Sequence, residues 1–383
     1  MVALRDVQPF SGDTVAKVSE SVRHYYTATA HPLDAEPITL DVLDIQIRFA
    51  ENRAPHIEAY LTCTIPELQA DIDALDARMG TRVEIELGYD LDSFKRESHI
   101  VADLMISSCE LDYSRDGKSM RITAYSDELR VQSEPLIGDE VFDKSGLENF
   151  VTSVLGSNVN TVDQVVDSRV PEPYGASELS TLEVPEFGDN KWDFIDEAQQ
   201  RTGTWIYCAN GRDWIIQPRP EVATTPHHTL TTGPEGTVIS ARVSTDRERF
   251  YNVVMLKYTY TPTKAAPNAP AGLPKTVLGS AFISYGPFDV TKVGMKVYQE
   301  KFEMKVTTAQ AKAAARAKLA RLLSKGHTYD VTALALYSVR PGQTVKVKLF
   351  GTDQNLLVQA VTFTPGTGLM DLVLRKPERN EIV

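Results

Sequence analysis

His227 and His228 form the one adjacent histidine pair in the sequence, and such a pair is first a candidate for metal ligation. Neighbouring residues of an extended segment point to opposite sides, so two adjacent imidazoles seldom share an ion. The prolines around them predict a solvated loop. Asp90 and Asp92, beside Gly88 and Tyr89, suggest a calcium loop. The further oxygen ligands at fixed positions and the closing bidentate glutamate are missing, so a polar strand end is expected. Cys63, Cys109 and Cys208 are too few and too scattered for a disulfide framework or a zinc site, and point to synthesis in a reducing cytoplasm. There is no GxxxxGKS/T or GxGxxG phosphate loop, no GxSxG elbow and no HExxH. Gly366-Thr367-Gly368 lies between strands and reads as a turn. Carboxylates are abundant, but no pattern sets two of them on facing strands as a glycosidase requires. The expectation is no catalytic residue, no cofactor and no required metal.

The elements that would position any site are mostly strands. Leu43, Ile45, Ile47 and Phe49 alternate with Asp44, Gln46 and Arg48, the period of a half-buried strand. Val83, Ile85, Leu87 and Tyr89 do the same, as do Val254, Leu256, Tyr258 and Tyr260, and Val345, Val347 and Leu349. Asp116-Gly117 and Asn210-Gly211 mark hairpin turns. Helices are few. Leu147, Phe150, Val151, Val154 and Leu155 form an apolar helical stripe. A helix from Asn190 to Arg201 has Asn190 as N-cap and Gly203 as stop. A short helix is expected over Pro66–Met79, and an Ala-rich one over Thr308–Lys325, ended by Gly326. In the last, Ala311, Ala315, Leu319 and Leu322 form the buried stripe. Its bases, Lys312, Arg316, Lys318, Arg321 and Lys325, form a solvated face, a contact for an acidic neighbour, or a phosphate site.

Breaks at Pro171–Phe187, Pro218–Gly236 and Pro262–Pro274 divide the chain, the last reading as a projecting loop. The expected plan is a β domain over 1–135, a small α/β domain over 136–235 and a second β domain with one long helix over 236–383. The two β regions share no obvious sequence repeat. Each has several strands and about one helix, compatible with two copies of a small barrel-like unit.

The 383 residues carry a net charge of −12, which argues against a general nucleic-acid coat. The charge is unevenly spread. Residues 1–135 hold 25 acids and 13 bases, 136–235 hold 17 and 6, and 236–383 hold 10 and 21. No apolar run is long enough to span a bilayer, and the first ten residues do not read as a signal peptide.

The most specific segment is Lys191–Arg219: Trp192-Asp193-Phe194-Ile195, Ala198, Arg201-Thr202-Gly203-Thr204-Trp205-Ile206-Tyr207, Asn210-Gly211 and Trp214-Ile215-Ile216. Trp192, Ile195 and Ala198 would seal a helix against a hairpin turned at Gly203 and closed at Asn210-Gly211. With Trp205 and Ile215 they are expected to form the core of the middle domain. This helix-glycine-hairpin arrangement resembles the central α/β domain of phage tail hub proteins: baseplate hub and late-control proteins of long-tailed bacteriophages, the hub part of type VI spike proteins, and minor tail proteins of actinobacterial phages. The motif covers about thirty residues. The architecture is similar over the full length, and no lysozyme-like insertion is present.

The resemblance implies a mainly β fold, two tail-tube-like β-barrel domains flanking a small α/β domain. It implies a structural virion protein of the tail tip, assembled in the host cytoplasm. Three chains would present six barrels in a ring, adapting a six-fold tail to a three-fold tip. The implied partners are two further copies, a distal tail or tail tube ring above, a central fibre or tip protein below, and the tape measure protein in the lumen. Double-stranded DNA would pass through without specific binding. Two other readings stand beside it. One is a receptor- or carbohydrate-binding tail protein using Tyr25, Tyr26, Tyr258, Tyr260 and Trp214; the other is a hydrolase. On the hub reading, acidic and basic barrels alternate around the ring, and Lys257, Lys346, Lys348 and the long-helix bases lie on outer or inter-barrel surfaces.

Overall fold

A computed structural model describes residues 9–376, except 19–21, 52, 93–94, 115–116, 139, 166–178, 180–181, 183–185, 234–235, 249, 262–272, 304, 324–326 and 350. The break at Pro171–Phe187 and the loop at Pro262–Pro274 lie largely outside the described residues, as do Asp116, Lys325 and Gly326.

The N-terminal part contains α1 (Gly12–Lys17), β1 (Arg23–His31), β2 (Ile38–Leu40), β3 (Val42–Ala50), β4 (Ile57–Cys63), α2 (Gln69–Ala74), β5 (Arg82–Asp92), β6 (Lys95–Ser114) and β7 (Gly117–Tyr125). The expected helix over Pro66–Met79 is α2 followed by a separate 3-10 turn at Ala77–Met79. The alternation in β3 holds for Ile45, Ile47 and Phe49, all buried, but Leu43 is 55% exposed. The cause is a bulge between Val42 and Asp44, which takes Leu43 out of register with β4.

The middle part contains α3 (Glu128–Ser133), α4 (Leu147–Leu155), β8 (Thr161–Gln164), α5 (Lys191–Thr202), β9 (Thr204–Asn210) and β10 (Asp213–Pro218). Asn190 caps α5 through its side chain, which accepts from Trp192 N at 2.8 Å, and Gly203 ends it at φ 71°. Gly211, at φ 56°, turns the β9–β10 hairpin. Ile195, Ala198 and Trp214 are buried in one cluster with the α4 stripe. Trp205 and Ile215 are buried too, but in a second cluster with Tyr207 on the hairpin's other face. Trp192 departs from expectation. It is half-buried, its ring 6.3 Å from Trp214, because the first turn of α5 sits at the rim of the cluster. Trp214→Ala is therefore expected to cost about 3–5 kcal/mol and Trp192→Ala less than half of that, read by chemical denaturation.

The C-terminal part contains β11 (His228–Leu230), β12 (Val238–Thr245), β13 (Val253–Tyr260), β14 (Lys275–Phe282), α6 (Val290–Val293), β15 (Val297–Phe302), α7 (Thr308–Leu323), β16 (His327–Leu334), β17 (Thr344–Leu349), β18 (Thr352–Thr364) and β19 (Leu369–Arg375). It holds two packing units. Strands β13, β14 and β15 form their own sheet under α7, with Ala311, Ala315, Leu319 and Leu322 buried against it as expected. This unit is inserted between β12 and β16, which pair directly. Gly279 on β14 lets α7 approach, since a Cβ there would lie 2.1 Å from Ala311 O.

The fold is mainly β. The strands of the N-terminal part and β11, β12 and β16–β19 join one sheet, in the order β12-β16-β19-β18-β3-β4-β7-β6-β5-β1-β2, with β17 and β11 branching from β18. Both regions share one apolar core. No closed barrel occurs among the described residues. The two regions are instead parts of one sheet, joined where β18 runs on past its own hairpin to pair with β3.

The middle part docks on the main sheet through charged groups as well as apolar ones. Arg82 bridges Asp103 at 2.8 Å and Asp127 at 2.7 Å. Next to them the buried carboxylate of Glu128 accepts from Cys208 N at 2.8 Å. Burial pushes Glu128 up to about 7. The folded chain therefore binds this proton more tightly than the unfolded one, and stability falls as pH rises from about 4.5 to about 7. Glu128→Gln, whose amide oxygen still accepts from Cys208, is expected to remove that component and to gain roughly 2–3 kcal/mol relative to the parent above pH 8. Denaturant titrations across pH check it.

Candidate assembly interface

The ladder registers reveal an internal repeat. The N-terminal region runs β3-β4-β7-β6-β5-β1 and the C-terminal one β12-β16-β19-β18-β17-β11, each step matching in chain order. The irregularities match as well. Strand β3 bulges between Val42 and Asp44, and β12 between Val238 and Ser240. Strand β6 bulges between Ile106 and Ser108, and β18 between Val358 and Ala360. Two independent bulges fix one alignment. Cys63 pairs Met120 as Ala333 pairs Met370, and Val42 pairs Cys63 as Val238 pairs Ala333. The bulged Leu43 and Ile239 are both exposed, at 55% and 59%. The repeat departs in one ladder, where β1 meets β5 antiparallel but β11 meets β17 parallel.

The two halves meet at a seam between β18 and β3. Ala360, Val361, Thr362 and Phe363 face Ala50, Phe49, Arg48 and Ile47, and Glu51 N donates to Gln359 O at 2.9 Å. On the core side, Phe363 lies 6.1 Å from Phe49 and 5.4 Å from Tyr337. Tyr337 stacks on Tyr89, whose hydroxyl donates to Ala335 O at 2.8 Å. Burial pushes both phenols up. The buried guanidinium of Arg340 sits 4.2 Å from the Phe49 ring centre. Arg375 Nη2 donates to Glu51 Oε1 at 2.8 Å and Oε2 at 3.0 Å, an ion pair across the seam with side-chain exposures of 12% and 2%.

Each half has one strand that uses this junction and one counterpart that does not. The counterpart of β18 is β6, which pairs β7 along Met105–Ser114 and leaves β5 at Met105. The counterpart of β3 is β12, the last strand of the sheet. Among the described residues no strand pairs with the outer edge of either. Phe363 is fully buried at the seam while its counterpart Leu111 is 39% exposed, and β12 is exposed over Ile239–Arg242 where β3 buries Ile45. On the sheet's polar face, Arg48, Arg242, Asp330, Thr362 and Asp371 line a shallow depression.

The residues singled out for chemistry have structural roles. His228 begins the strand that docks on β17, and His227 just before it accepts from Thr344 N on its Nδ1 at 3.1 Å, so the pair is not a solvated loop. Burial, and then its neighbour His227, hold His228 down at about 4. His56 is buried against Trp205 and Tyr207, its Nδ1 donating to Ala50 O at 2.8 Å, and burial lowers it to about 4. Asp90 pairs with Arg96 at 2.6 Å, and Arg96 lies 3.6 Å over the Tyr25 ring. Burial raises all three thiols, Cys63 to about 12, which leaves them unreactive near neutral pH. Among the described residues no group of three or more His, Cys, Asp or Glu is arranged to hold a metal ion. Trp214 and Tyr258, candidates for ligand stacking, are core residues. No described helix is long and apolar enough to cross a membrane.

The positive charge of the C-terminal region is concentrated in its insertion. Residues 246–326 carry 14 Lys and Arg against five Asp and Glu. Lys257, Lys312 and Arg316 are exposed there, and Lys318 pairs with Glu300 at 2.9 Å. At matched positions of the repeat, Glu84 and Glu86 on β5 stand where β17 has Lys346 and Lys348. Lys346 pairs with Asp353 at 2.7 Å.

No protein-family profile and no curated protein matches the chain. Solved structures do. A tail protein from Neisseria meningitidis is similar with a TM-score of 0.61 at 11% identity, covering 92% of this chain and 96% of that one. The 43 kDa tail protein of prophage MuSo2 from Shewanella oneidensis is similar with a TM-score of 0.55 at 12% identity, covering 92% and 98%. Prophage tail protein gp18 from Listeria monocytogenes is similar with a TM-score of 0.53 at 12% identity, covering 92% and 95%. The chain thus has the fold of these tail proteins over nearly its whole length.

Proposed function

We propose that this chain is a structural protein of a phage tail tip, a hub in which three copies form a ring of six β units. Residues 1–135 supply one β unit, 236–383 with the preceding strand β11 supply the other, and the rest of 136–235 is the α/β unit between them. The observation that carries the reading is the internal repeat: one chain holds two like units joined at a seam between β18 and β3, and among the described residues no strand pairs with the outer edges of their counterparts, β6 and β12. A heterologous contact of that kind closes into a ring when its rotation allows. The likeness to tail proteins from three bacteria supports the setting. In that setting the ring stacks under the distal tail or tail tube ring and over a fibre or tip protein. Tape measure and DNA pass through its opening, and no catalytic step is involved. Projection images of the purified protein test it. A ring with an opening wide enough for duplex DNA is expected; an elongated, side-mounted shape contradicts it.

Charge guides the assembly in this reading. The acidic N-terminal unit of one copy meets the basic C-terminal region of the next, which speeds encounter more than it adds affinity. Each exposed pair contributes only about 0–1 kcal/mol, so the effect is collective. Raising salt from 50 to 500 mM is expected to slow ring formation severalfold, followed by light scattering; a rate indifferent to salt contradicts it.

A further inference from the structure

The geometry points to a specific partner for the free edge of β6: strand β12 of a second copy of this chain, antiparallel and in one register. The alignment fixed by the two bulges makes Ser108, Cys109, Glu110 and Leu111 the counterparts of Ala360, Val361, Thr362 and Phe363. It makes Val243, Ser244 and Thr245 the counterparts of Ile47, Arg48 and Phe49. Carrying the seam register across gives Cys109 opposite Thr245, Glu110 opposite Ser244 and Leu111 opposite Val243.

The side chains suit that register. Leu111, 39% exposed, meets the half-buried Val243 on the core side, as Phe363 meets Ile47. One step further, the exposed Asp112 faces the exposed Arg242 on the polar face, and Glu110 lies diagonal to the same guanidinium. Opposite charges directly across a ladder favour one register, and a shift by one residue would turn Leu111 to the polar face. The edges of β6 and β12, which no strand pairs among the described residues, are each a template for strand addition, and each has its complement on the same chain. The occupant is therefore a second copy rather than an unrelated strand. This inference rests on the ring-forming reading for the existence of the contact, and on the internal repeat for its register.

Cross-strand disulfides test it. In the seam, Glu51 N donates to Gln359 O, so Phe49–Val361 is a hydrogen-bonded pair and Arg48–Thr362 a non-hydrogen-bonded one. Its counterpart, Glu110–Ser244, then has Cα atoms about 4.5 Å apart, within disulfide range. Glu110→Cys with Ser244→Cys, in a Cys109→Ser background, is expected to link chains covalently on mild oxidation, resolved by non-reducing gel. Glu110→Cys with Arg242→Cys, two residues out of register, is expected to link at least tenfold less. Asp112→Cys with Arg242→Cys is a second in-register pair should the first variant fold poorly. An assembled oligomer that links in neither in-register pair, or links faster out of register, overturns the seam and leaves the ring standing. A parent chain that stays monomeric overturns both.

Discussion

Replacing Arg375 by alanine is expected to destabilise the folded chain by about 3–5 kcal/mol, the largest single-residue effect at the seam. The guanidinium holds both oxygens of Glu51, whose side chain is 2% exposed. Removing it leaves a carboxylate buried without its cation, and the desolvation cost of that charge is no longer offset. The loss falls at the junction of the two halves, since Glu51 N is itself bonded to Gln359 O on β18. Replacing both partners with apolar residues, Glu51→Leu with Arg375→Met, removes the buried charge and should bring stability back to within about 1–2 kcal/mol of the parent. Denaturant unfolding reads both. A single Arg375→Ala change costing under about 1 kcal/mol would show that the ion pair does not hold the halves together.

The second large effect concerns assembly rather than folding. Thr245 is the counterpart of Phe49, whose N–H faces the seam strand, so the N–H of Thr245 faces the open edge of β12. Proline there removes one donor and sets its ring against an incoming strand, while an edge strand tolerates it. Thr245→Pro is expected to keep the parent's circular dichroism and melting midpoint within a few degrees. Each inter-chain contact should weaken at least about tenfold, from one lost hydrogen bond of ~1–1.5 kcal/mol plus the steric clash. A closed ring made of three such contacts would not persist at micromolar concentration. Unchanged assembly by analytical ultracentrifugation would exclude β12 as the joining edge.

Local structure was legible wherever one residue type decides it. Asn190 and Gly203 bound α5 because a side-chain acceptor and a left-handed backbone are needed at its two ends. The 311, 315, 319 and 322 stripe marks the buried face of α7 because the helical period leaves no other solution. Tertiary context decided the rest. Leu43 alternates correctly in sequence and still faces solvent, since a bulge has no residue signature of its own. Trp192 looks like a core residue by type but sits at the rim of its cluster. The repeat was hidden for a similar reason. A ladder fixes pairing and polarity, not identity, so Phe49 is matched by Thr245, Cys63 by Ala333, and Glu84 by Lys346. The 246–326 insertion separates β12 from β16 in the chain although they are neighbours in the sheet, which breaks any repeat read along the sequence. The candidate interface is made of backbone edges, and edges are written in the ladders rather than in motifs.

The central claim is that the open edges of β6 and β12 close copies of this chain into a ring, and the mass of the assembled protein tests it most directly. Native mass spectrometry of the purified chain at micromolar concentration and low salt should show one dominant species of three 42.4 kDa chains. Thr245→Pro should run as the single chain under the same conditions. A monomeric parent, or an open-ended series of masses without a closed species, would contradict the ring.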